Sequence, residues 1–315
     1  MTSRAFVFPG QGSQAVGMGR ELADVFAPAR EVFEEVNEAL KQNLSRLMFE
    51  GPEDELTLTE NAQPALMAVS LAVMRVLQKE GGLDLAVSAR FVAGHSLGEY
   101  SALTAAGTFS VADAARLLKI RGRAMQAAVP VGQGAMAALL GLELDAVKAI
   151  AEKSCCGDEI CAAANDNSPG QVVISGCKGA VERAVELAAT MGAKRCVMLP
   201  VSAPFHCSLM EPAAKAMAEA LDAAVMSAPS VELVANVTAG SVSDVGVIRR
   251  LLVEQVTKMV RWRESVMYMK DCGVDALIEV GAGKVLSGLT RRIDRELSAT
   301  AIGAPSEIEE FLKTI

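Results

Sequence analysis

The chain has 315 residues, 51% of them hydrophobic, and its formal net charge at pH 7 is -8. This length suits one large α/β domain or a large and a small one, and the apolar content supplies enough core for either. The acidic balance argues against nucleic acid or an anionic membrane as the main partner, since both select for cationic surfaces. No apolar run in the sequence reaches the length of about 18 residues that a membrane-spanning helix needs.

Cysteine and histidine usage restricts the metal and redox chemistry. The sequence has seven cysteines, which form no CxxC pair, and only two histidines. A zinc site is therefore not expected, and we predict neither a metal nor a redox cofactor. The first twelve residues lead directly into a strand-like stretch instead of a signal peptide. Together with the odd number of cysteines, this pattern predicts a reduced, cytoplasmic protein.

Strands and helices alternate in the first part of the chain. Residues 4–8 are predicted to be a buried strand, and the apolar spacing predicts one long amphipathic helix over about 19–40. A second helix is expected over about 62–80, with Pro64 in its first turn. Three further elements follow, a short strand at 89–94 and helices at about 97–106 and 110–127. This alternation favours a parallel sheet.

The order of elements changes between about 134 and 199, where it becomes strand, helix, strand, strand, helix, strand. This is the β-α-β-β-α-β order of the ferredoxin-like arrangement. We therefore predict a ferredoxin-like small domain at 129–199, inserted into a large domain made of 1–128 and 200–315. The large domain is completed by helices at about 207–226, 245–257 and 262–271, strands at 231–235 and 276–280, and a further helix.

A nucleophile motif lies directly after the predicted strand at 89–94. Residues 94–98 read Gly-His-Ser-Leu-Gly and match G-x-S-x-G between a strand and a helix. Such a turn exposes the hydroxyl of Ser96 and turns the N–H of Leu97 into the same space. The alternative is a turn that only happens to contain serine, but the strand-turn-helix setting favours a nucleophile.

A serine nucleophile needs a base within hydrogen-bond reach, and the sequence offers two histidines. His95 immediately precedes Ser96, where a tight elbow turns the neighbouring side chain away. His206 therefore remains as the predicted base, although a histidine that only packs at a helix start is the alternative. No Asp or Glu stands out as the group that would orient His206, and a backbone carbonyl can fix the imidazole tautomer as well.

Several separated motifs resemble those of the malonyl-CoA:acyl carrier protein transacylase family, over essentially the full length of the chain. They are FPGQGSQ at 8–14, GHSLGEYSAL at 94–103, RGRAMQ at 121–126, NSPGQVV at 167–173, APFHCSLM at 203–210, VEQV at 253–256 and EVGAGKVLSGL at 279–289. The resemblance implies an α/β-hydrolase-like large domain with a parallel sheet, plus the ferredoxin-like insertion. It also implies transfer of a malonyl group from coenzyme A to the phosphopantetheine thiol of acyl carrier protein, through a malonyl-serine intermediate.

The resemblance assigns roles to five positions. Ser96 is implied as the acylated nucleophile and His206 as its base. The backbone N–H groups of Gln11 and Leu97 are implied as the oxyanion hole, and the main-chain carbonyl of Gln255 as the group that orients His206.

Arg121 is the expected partner of the free malonyl carboxylate. A guanidinium can hold a carboxylate through a planar bidentate pair of hydrogen bonds, a geometry that lysine cannot match. A helix that leaves Ser96 and an antiparallel helix that returns would bring Arg121 level with the nucleophile. An exposed helix arginine is the alternative. 

Three further residues are candidates for the substrate cleft. Family members that prefer malonyl to methylmalonyl units often carry phenylalanine at the position of Phe205, where a bulky ring leaves less room for an α-methyl group. Pro204 differs from the alanine usual in that motif. Asn165 and Asn167 are expected to shape the turn before Pro169, and the resemblance adds a contact with substrate as a second role.

Two partners are implied by the resemblance, malonyl-CoA and the acidic acyl carrier protein. An acidic enzyme needs a local basic patch to bind such a carrier, and the candidates are Lys284, Arg291, Arg292 and Arg295, although a solvated helix face explains them equally well. We expect a monomer. Two other functions use the same residues: a serine hydrolase such as a thioesterase, with water as acceptor, and a noncatalytic component that only binds a carrier protein.

Overall fold

The structure is a computed structural model that describes residues 3–201 and 203–314. The chain is a mixed α/β protein with a largely parallel sheet and a separate antiparallel sheet. Its strands, in chain order, are β1 (Arg4–Phe8), β2 (Phe91–Gly94), β3 (Gly134–Leu140), β4 (Cys161–Ser168), β5 (Gln171–Cys177), β6 (Arg195–Met198), β7 (Leu233–Ala235), β8 (Gly240–Val242), β9 (Ala276–Val280) and β10 (Ser298–Ile302).

Helices pack against both sheets. In chain order they are α1 (Arg20–Val25), α2 (Ala27–Leu40), α3 (Leu44–Glu50), α4 (Glu53–Thr57), α5 (Thr59–Lys79), α6 (Leu85–Ser88), α7 (Gly98–Ala105), α8 (Val111–Ala127), α9 (Leu144–Lys153), α10 (Lys178–Thr190), α11 (Glu211–Ala223), α12 (Val245–Gln255), α13 (Trp262–Asp271), α14 (Val285–Ile293) and α15 (Pro305–Leu312), with a 3-10 turn at Ser208–Met210 before α11.

The larger sheet has the strand order β10-β9-β1-β2-β7-β8, and its strands run parallel except β8, which is antiparallel to β7. Side chains of β1 alternate between two apolar cores. Phe6 and Phe8 lie in the core that contains α5, whereas Ala5 and Val7 pack with Trp262 on the other face. Both faces are buried, as is usual for parallel strands. The expectation of a parallel sheet is confirmed.

The smaller sheet has the order β4-β5-β3-β6, with every neighbouring pair antiparallel. One face packs against α9 and α10 through an apolar cluster that includes Leu139, Val147 and Ile174. The opposite face carries Met136 and Val173, which belong to the main core of the larger part of the molecule. The smaller sheet therefore has its own core on one face and packs against the main core with the other.

The smaller sheet is joined to the segment before α13 by backbone pairing as well as by side chains. The N–H of Asp166 donates to the carbonyl of Val260 at 2.9 Å, and the N–H of Val260 donates to the carbonyl of Ala164 at 2.9 Å. Arg263 forms an ion pair with Asp166 at 2.9 Å. The end of β4 is thus fixed against the segment that precedes α13.

Two helices predicted as continuous are interrupted. The expected helix over 19–40 is two helices, α1 and α2, separated at Phe26, whose backbone is extended. The expected helix over 207–226 consists of the 3-10 turn and α11. In both cases a proline, Pro28 or Pro212, lies in the first turn of the later helix. Proline lacks an N–H and clashes with the preceding turn, so it begins a helix more easily than it continues one.

Candidate active site

Ser96 lies on a sharp turn between β2 and α7, with a positive φ of 53°. The turn requires glycine on both sides. A Cβ on Gly94 would lie 1.9 Å from the backbone carbonyl of Gly98, and a Cβ on Gly98 would lie 2.2 Å from the carbonyl oxygen of Phe8. The predicted strand-turn-helix setting of the serine is confirmed, and the close approach of three backbone segments explains the flanking glycines.

Asn236 holds this turn in place from the end of β7. Its Oδ1 accepts a hydrogen bond from the N–H of Ser96 at 2.8 Å, and its Nδ2 donates to the carbonyl of Gly94 at 2.7 Å. The side chain is fully buried. These bonds satisfy the backbone polar groups that the strained turn leaves without regular partners.

The hydroxyl of Ser96 lies 2.8 Å from Nε2 of His206, and Nδ1 of His206 lies 2.8 Å from the main-chain carbonyl of Gln255. A carbonyl only accepts, so Nδ1 carries the proton and Nε2 is free to accept from the hydroxyl. The structure therefore brings together the three residues expected at the centre of the site. His95, in contrast, bonds through Nε2 to Oδ1 of Asn167 at 2.9 Å.

Burial lowers the pKa of His206 to about 3, and the nearby positive charge of Arg121 adds to this effect, while the bond to Gln255 opposes it. The imidazole is therefore neutral in the folded protein over the whole physiological range. A neutral imidazole is the form that can accept a proton from serine.

The low pKa of His206 predicts a loss of stability in acid. Below pH 6.5 the unfolded chain binds a proton on this histidine and the folded chain does not, so stability falls as pH decreases from 6.5 towards 3. Between pH 7 and pH 5 the native protein should lose about 2 kcal/mol more unfolding free energy than His206→Gln. Urea denaturation of both proteins at the two pH values measures this difference, and equal losses would contradict the assignment of a neutral, buried imidazole.

Arg121 is buried and reaches the nucleophile from α8. Its Nη2 donates to Oγ of Ser96 at 3.1 Å and to Oε1 of Gln255 at 2.9 Å, and its Nη1 donates to Oε1 of Gln63 at 2.7 Å. Nε is buried without a hydrogen-bond partner among the described residues. The antiparallel return of α8 thus places the guanidinium beside the serine, as expected, and leaves donor capacity for an anion.

Burial lowers the pKa of Arg121, and the neighbouring Tyr100 and Glu99 oppose this shift. An arginine remains protonated in proteins even so, because its ordinary pKa is very high. The guanidinium also lies over the ring of Tyr100, 5.8 Å from its centroid. The site consequently holds a desolvated cation next to the nucleophile, which favours a substrate with a negative group.

The loop after β1 lies beside the elbow, because Phe8 and Gly94 are register partners at the ends of neighbouring parallel strands. Gln11 follows in that loop, and Leu97 follows Ser96. The backbone N–H groups of these two residues have no hydrogen-bond acceptor among the described residues. Both residues border the same cavity as Ser96. Two unpaired N–H groups beside a nucleophile can stabilise a negatively charged oxygen.

Ser96 opens into a cavity of about 270 Å³, whose wall has a mainly apolar surface although polar side chains also line it. Met125 from α8 and Met136 from β3 contribute to its wall, together with Leu199. Phe205 also lines the cavity and is 8% exposed. The cavity therefore lies between the loops that follow β1 and β2 and the smaller sheet.

The two asparagine candidates have different positions. Asn165 is buried and borders the cavity. Asn167 is the partner of His95, so its side chain joins the elbow to the smaller sheet. The expectation that both residues shape the turn before Pro169 is wrong, since each lies within strand β4.

The four predicted basic-patch residues, Lys284, Arg291, Arg292 and Arg295, are all exposed, at or near α14. Arg292 donates to Oε1 of Gln171 at 2.7 Å and so joins α14 to the smaller sheet. The N-terminal turn of α14 is occupied by the chain itself, because Glu279 accepts from the N–H groups of Leu286 and Ser287 at 2.9 and 2.7 Å.

Sequence reasoning missed four side chains of this site: Gln63, Glu99, Asn236 and the amide of Gln255. Glu99 had a signal, since it lies three residues after Ser96 within the motif at 94–103. Within residues 3–201 and 203–314, no cluster of three or more His, Cys, Asp or Glu side chains is arranged to hold a metal ion. No helix in the same ranges is both long and apolar enough to cross a membrane.

Comparison with known proteins agrees with this geometry. Residues 5–302 match the acyl transferase domain family. The malonyl CoA-acyl carrier protein transacylase of Escherichia coli (strain K12) is 47% identical over 99% of this chain and 100% of its own length. The acyl-carrier-protein-S-malonyltransferase of Bartonella henselae has a TM-score of 0.97 and 56% identity over 99% of both chains. A malonyl-transacylase solved in complex with a type II PKS acyl-carrier protein has a TM-score of 0.96 and 42% identity over 100% of both chains.

Proposed function

The chain belongs to the malonyl CoA-acyl carrier protein transacylase family, and from this premise we propose how its site transfers a malonyl group. The chain is an S-malonyltransferase that moves malonyl from coenzyme A to the phosphopantetheine thiol of acyl carrier protein. The observation that carries the malonyl assignment is the buried guanidinium of Arg121, 3.1 Å from Oγ of Ser96. That cation can bind the free carboxylate while the thioester carbon faces the serine.

In the first half-reaction, Oγ of Ser96 attacks the thioester carbonyl as its proton passes to Nε2 of His206. The resulting oxyanion is stabilised by the N–H groups of Gln11 and Leu97. The carbon–sulfur bond then breaks, and Nε2 returns the proton to the sulfur of coenzyme A. The serine is left as a malonyl ester.

In the second half-reaction, the phosphopantetheine thiol gives its proton to Nε2 of His206 and attacks the ester carbon. The intermediate collapses, the carbon–oxygen bond to Ser96 breaks, and the proton returns to Oγ. The carbonyl of Gln255 keeps His206 in the same tautomer throughout, since it accepts from Nδ1 at 2.8 Å. Neither half-reaction requires a metal or a redox cofactor.

A serine hydrolase would use the same nucleophile and base with water as acceptor. The family relatives are transacylases, and one is solved with an acyl-carrier protein, so the hydrolase alternative is not favoured. The largely apolar cavity around Ser96 also supports an intermediate that persists until a thiol enters.

The persistence of the acyl-enzyme is the direct test of this function. Incubation of the protein with malonyl-CoA alone should give an intact mass increased by one malonyl group, and addition of holo acyl carrier protein should remove it and produce malonyl-carrier. Rapid release of coenzyme A without any adduct would instead indicate a hydrolase. Holo acyl carrier protein and its apo form, which lacks the thiol, are the matched acceptors.

We also propose the finer description of the fold. The β3-α9-β4-β5-α10-β6 order and the antiparallel β4-β5-β3-β6 sheet support a ferredoxin-like small domain at 129–199. The parallel sheet with its elbow after β2 supports an α/β-hydrolase-like large domain at 1–128 and 200–315. Of these ranges, residues 1, 2, 202 and 315 lie outside the described residues.

Specificity and docking complete the proposal. The ring of Phe205 borders the cavity, which supports selection against an added α-methyl group, although one methyl group is worth only about 1–3 kcal/mol. Asn165 is a candidate contact for the bound acyl chain. The exposed Lys284, Arg291, Arg292 and Arg295 are the proposed patch for the acidic carrier protein. The monomeric state and the cytoplasmic location stay predictions.

A further inference from the structure

Glu99 is a buried carboxyl group close to the nucleophile that the acyl transfer steps do not use. It belongs to the first turn of α7, three residues after Ser96, and its side chain is 1% exposed. Charged side chains are almost never buried without partners. The partners of Glu99 therefore indicate what it does.

Among the described residues, Glu99 accepts two hydrogen bonds, both through Oε2. That oxygen accepts from the backbone N–H of Asn236 at 3.0 Å and from Nε2 of Gln255 at 2.9 Å. The bond to Asn236 fixes the residue whose side chain holds the turn around Ser96. The bond to Gln255 reaches the residue whose carbonyl orients His206.

The amide of Gln255 joins Glu99 to the rest of the site. Its Nε2 also lies within hydrogen-bond distance of the carbonyl of Ser96, at 3.0 Å, and of Oδ1 of Asn236, at 3.2 Å, and its Oε1 accepts from Nη2 of Arg121 at 2.9 Å. A guanidinium only donates, whereas a carboxylate oxygen only accepts. The amide therefore has one favourable orientation, with its nitrogen towards Glu99 and its oxygen towards Arg121.

From this juxtaposition we infer that Glu99 is a positioning residue for malonyl selection, which sets the orientation of the Gln255 amide and, through it, the place of the Arg121 guanidinium beside Ser96. The inference rests on the proposed function of Arg121 as the carboxylate-binding group. Glu99 touches no reacting atom and acts only through Gln255.

The intervening amide has a chemical advantage over a direct ion pair. Among the described residues, Glu99 and Arg121 each bond to the Gln255 amide and form no direct salt bridge, so the carboxyl group does not occupy the donors that a malonyl carboxylate needs. Burial raises the pKa of Glu99 to about 7, against the effect of its hydrogen bonds and of Arg121. Oε2 can accept in both protonation states if the proton resides on Oε1, so the hydrogen bonds do not depend on a full negative charge.

Three substitutions separate hydrogen bonding from charge. Glu99→Asp keeps the carboxyl group, but its shorter side chain moves the oxygen away from Gln255. Glu99→Asn also moves the oxygen away from Gln255 and leaves no buried carboxyl group at this position. Glu99→Gln keeps an oxygen at the same distance but removes the charge. The measured quantity is the ratio of kcat/KM for malonyl-CoA to that for acetyl-CoA, because acetyl has no carboxylate for Arg121 to bind.

We expect Glu99→Asp and Glu99→Asn to lower this ratio at least ~10-fold, mainly through the KM for malonyl-CoA, since misplacement of a binding group by about 1 Å has effects of this size. Glu99→Gln should keep the ratio within about threefold of the native value, because its bonds to Gln255 and Asn236 are retained. Glu279→Asp is the matched control, since Glu279 is equally buried but binds the first turn of α14. That control should lower the melting temperature without changing the ratio.

A malonyl-to-acetyl ratio at the native value in Glu99→Asp or Glu99→Asn would overturn the inference. A ratio in Glu99→Gln as low as that in Glu99→Asp would also overturn it, because the effect would then come from the charge. If Glu99→Asp does not fold, Glu99→Asn decides. Malonyl loading of the native protein is measured first. Its failure would contradict the proposed function itself, whereas normal loading with an unchanged ratio in the variants would contradict only the role of Glu99.

Discussion

Ser96→Ala is expected to lose malonyl transfer almost completely, with kcat reduced by about 10⁴- to 10⁶-fold, as for other enzymes whose serine nucleophile is removed. The structure gives the reason, because the hydroxyl that His206 contacts at 2.8 Å is the group that would carry the malonyl ester. The measurement combines single-turnover transfer to acyl carrier protein with the intact mass of the enzyme after incubation with malonyl-CoA. The variant should show no adduct.

Ser101→Ala is the matched control for this substitution. Ser101 lies in the same helix α7, is fully buried, and its hydroxyl has no hydrogen-bond partner among the described residues. Removal of that hydroxyl should leave both folding and malonyl loading close to native. Transfer that continued in Ser96→Ala at the native rate would instead support a noncatalytic component that binds the carrier protein.

The parts of the site that the sequence predicts are those with a local signature. The elbow around Ser96 has glycines at fixed spacing, and His206 follows from elimination between two histidines. Arg121 lies in a motif of the family resemblance, and a helix that leaves Ser96 followed by an antiparallel helix that returns over a similar distance explains its place beside the serine. The glycine spacing and the helix geometry are local information, whereas His206 is identified because the chain has only two histidines.

The remaining side chains come from distant parts of the chain. Asn236 is 140 positions from Ser96, and Gln63 is 58 positions from Arg121. Buried amides have no periodicity or motif of their own, because their role depends on which polar groups the fold leaves unpaired. Glu99 directly follows the elbow motif, but its partners Gln255 and Asn236 become known only when α12 and β7 are in place.

In the fold, too, the elements with a local sequence pattern are predicted and the others are not. The apolar strands β1, β2 and β9 and the amphipathic α8 are recognisable from their patterns, whereas the edge strands β8 and β10 were not predicted. Both edge strands are short and largely exposed or half-buried, so they lack the continuous apolar run of a buried parallel strand. Their position at the two ends of the sheet follows from pairing with β7 and β9.

Arg121→Ala is expected to separate malonyl from acetyl transfer. Loss of the guanidinium leaves the malonyl carboxylate in a desolvated site without a partner, which should cost about 2–5 kcal/mol, or roughly a 30- to 5,000-fold loss of kcat/KM for malonyl-CoA. Acetyl-CoA has no such group, so its kcat/KM should change little. The measurement is kcat/KM for both substrates with the same carrier protein, in the native enzyme and the variant.

Arg123→Ala is the control for Arg121→Ala, because it lies two residues further along α8 and forms an ion pair with Glu60 at the surface, with its side chain 67% exposed. Its removal should leave the malonyl-to-acetyl ratio unchanged.

Arg121 also contributes to the low pKa of His206, so Arg121→Ala should raise that pKa and shift the acid limb of acetyl transfer to higher pH. Equal losses for malonyl and acetyl in Arg121→Ala would exclude the carboxylate-binding role, since an effect on Ser96 or His206 alone acts on both substrates alike.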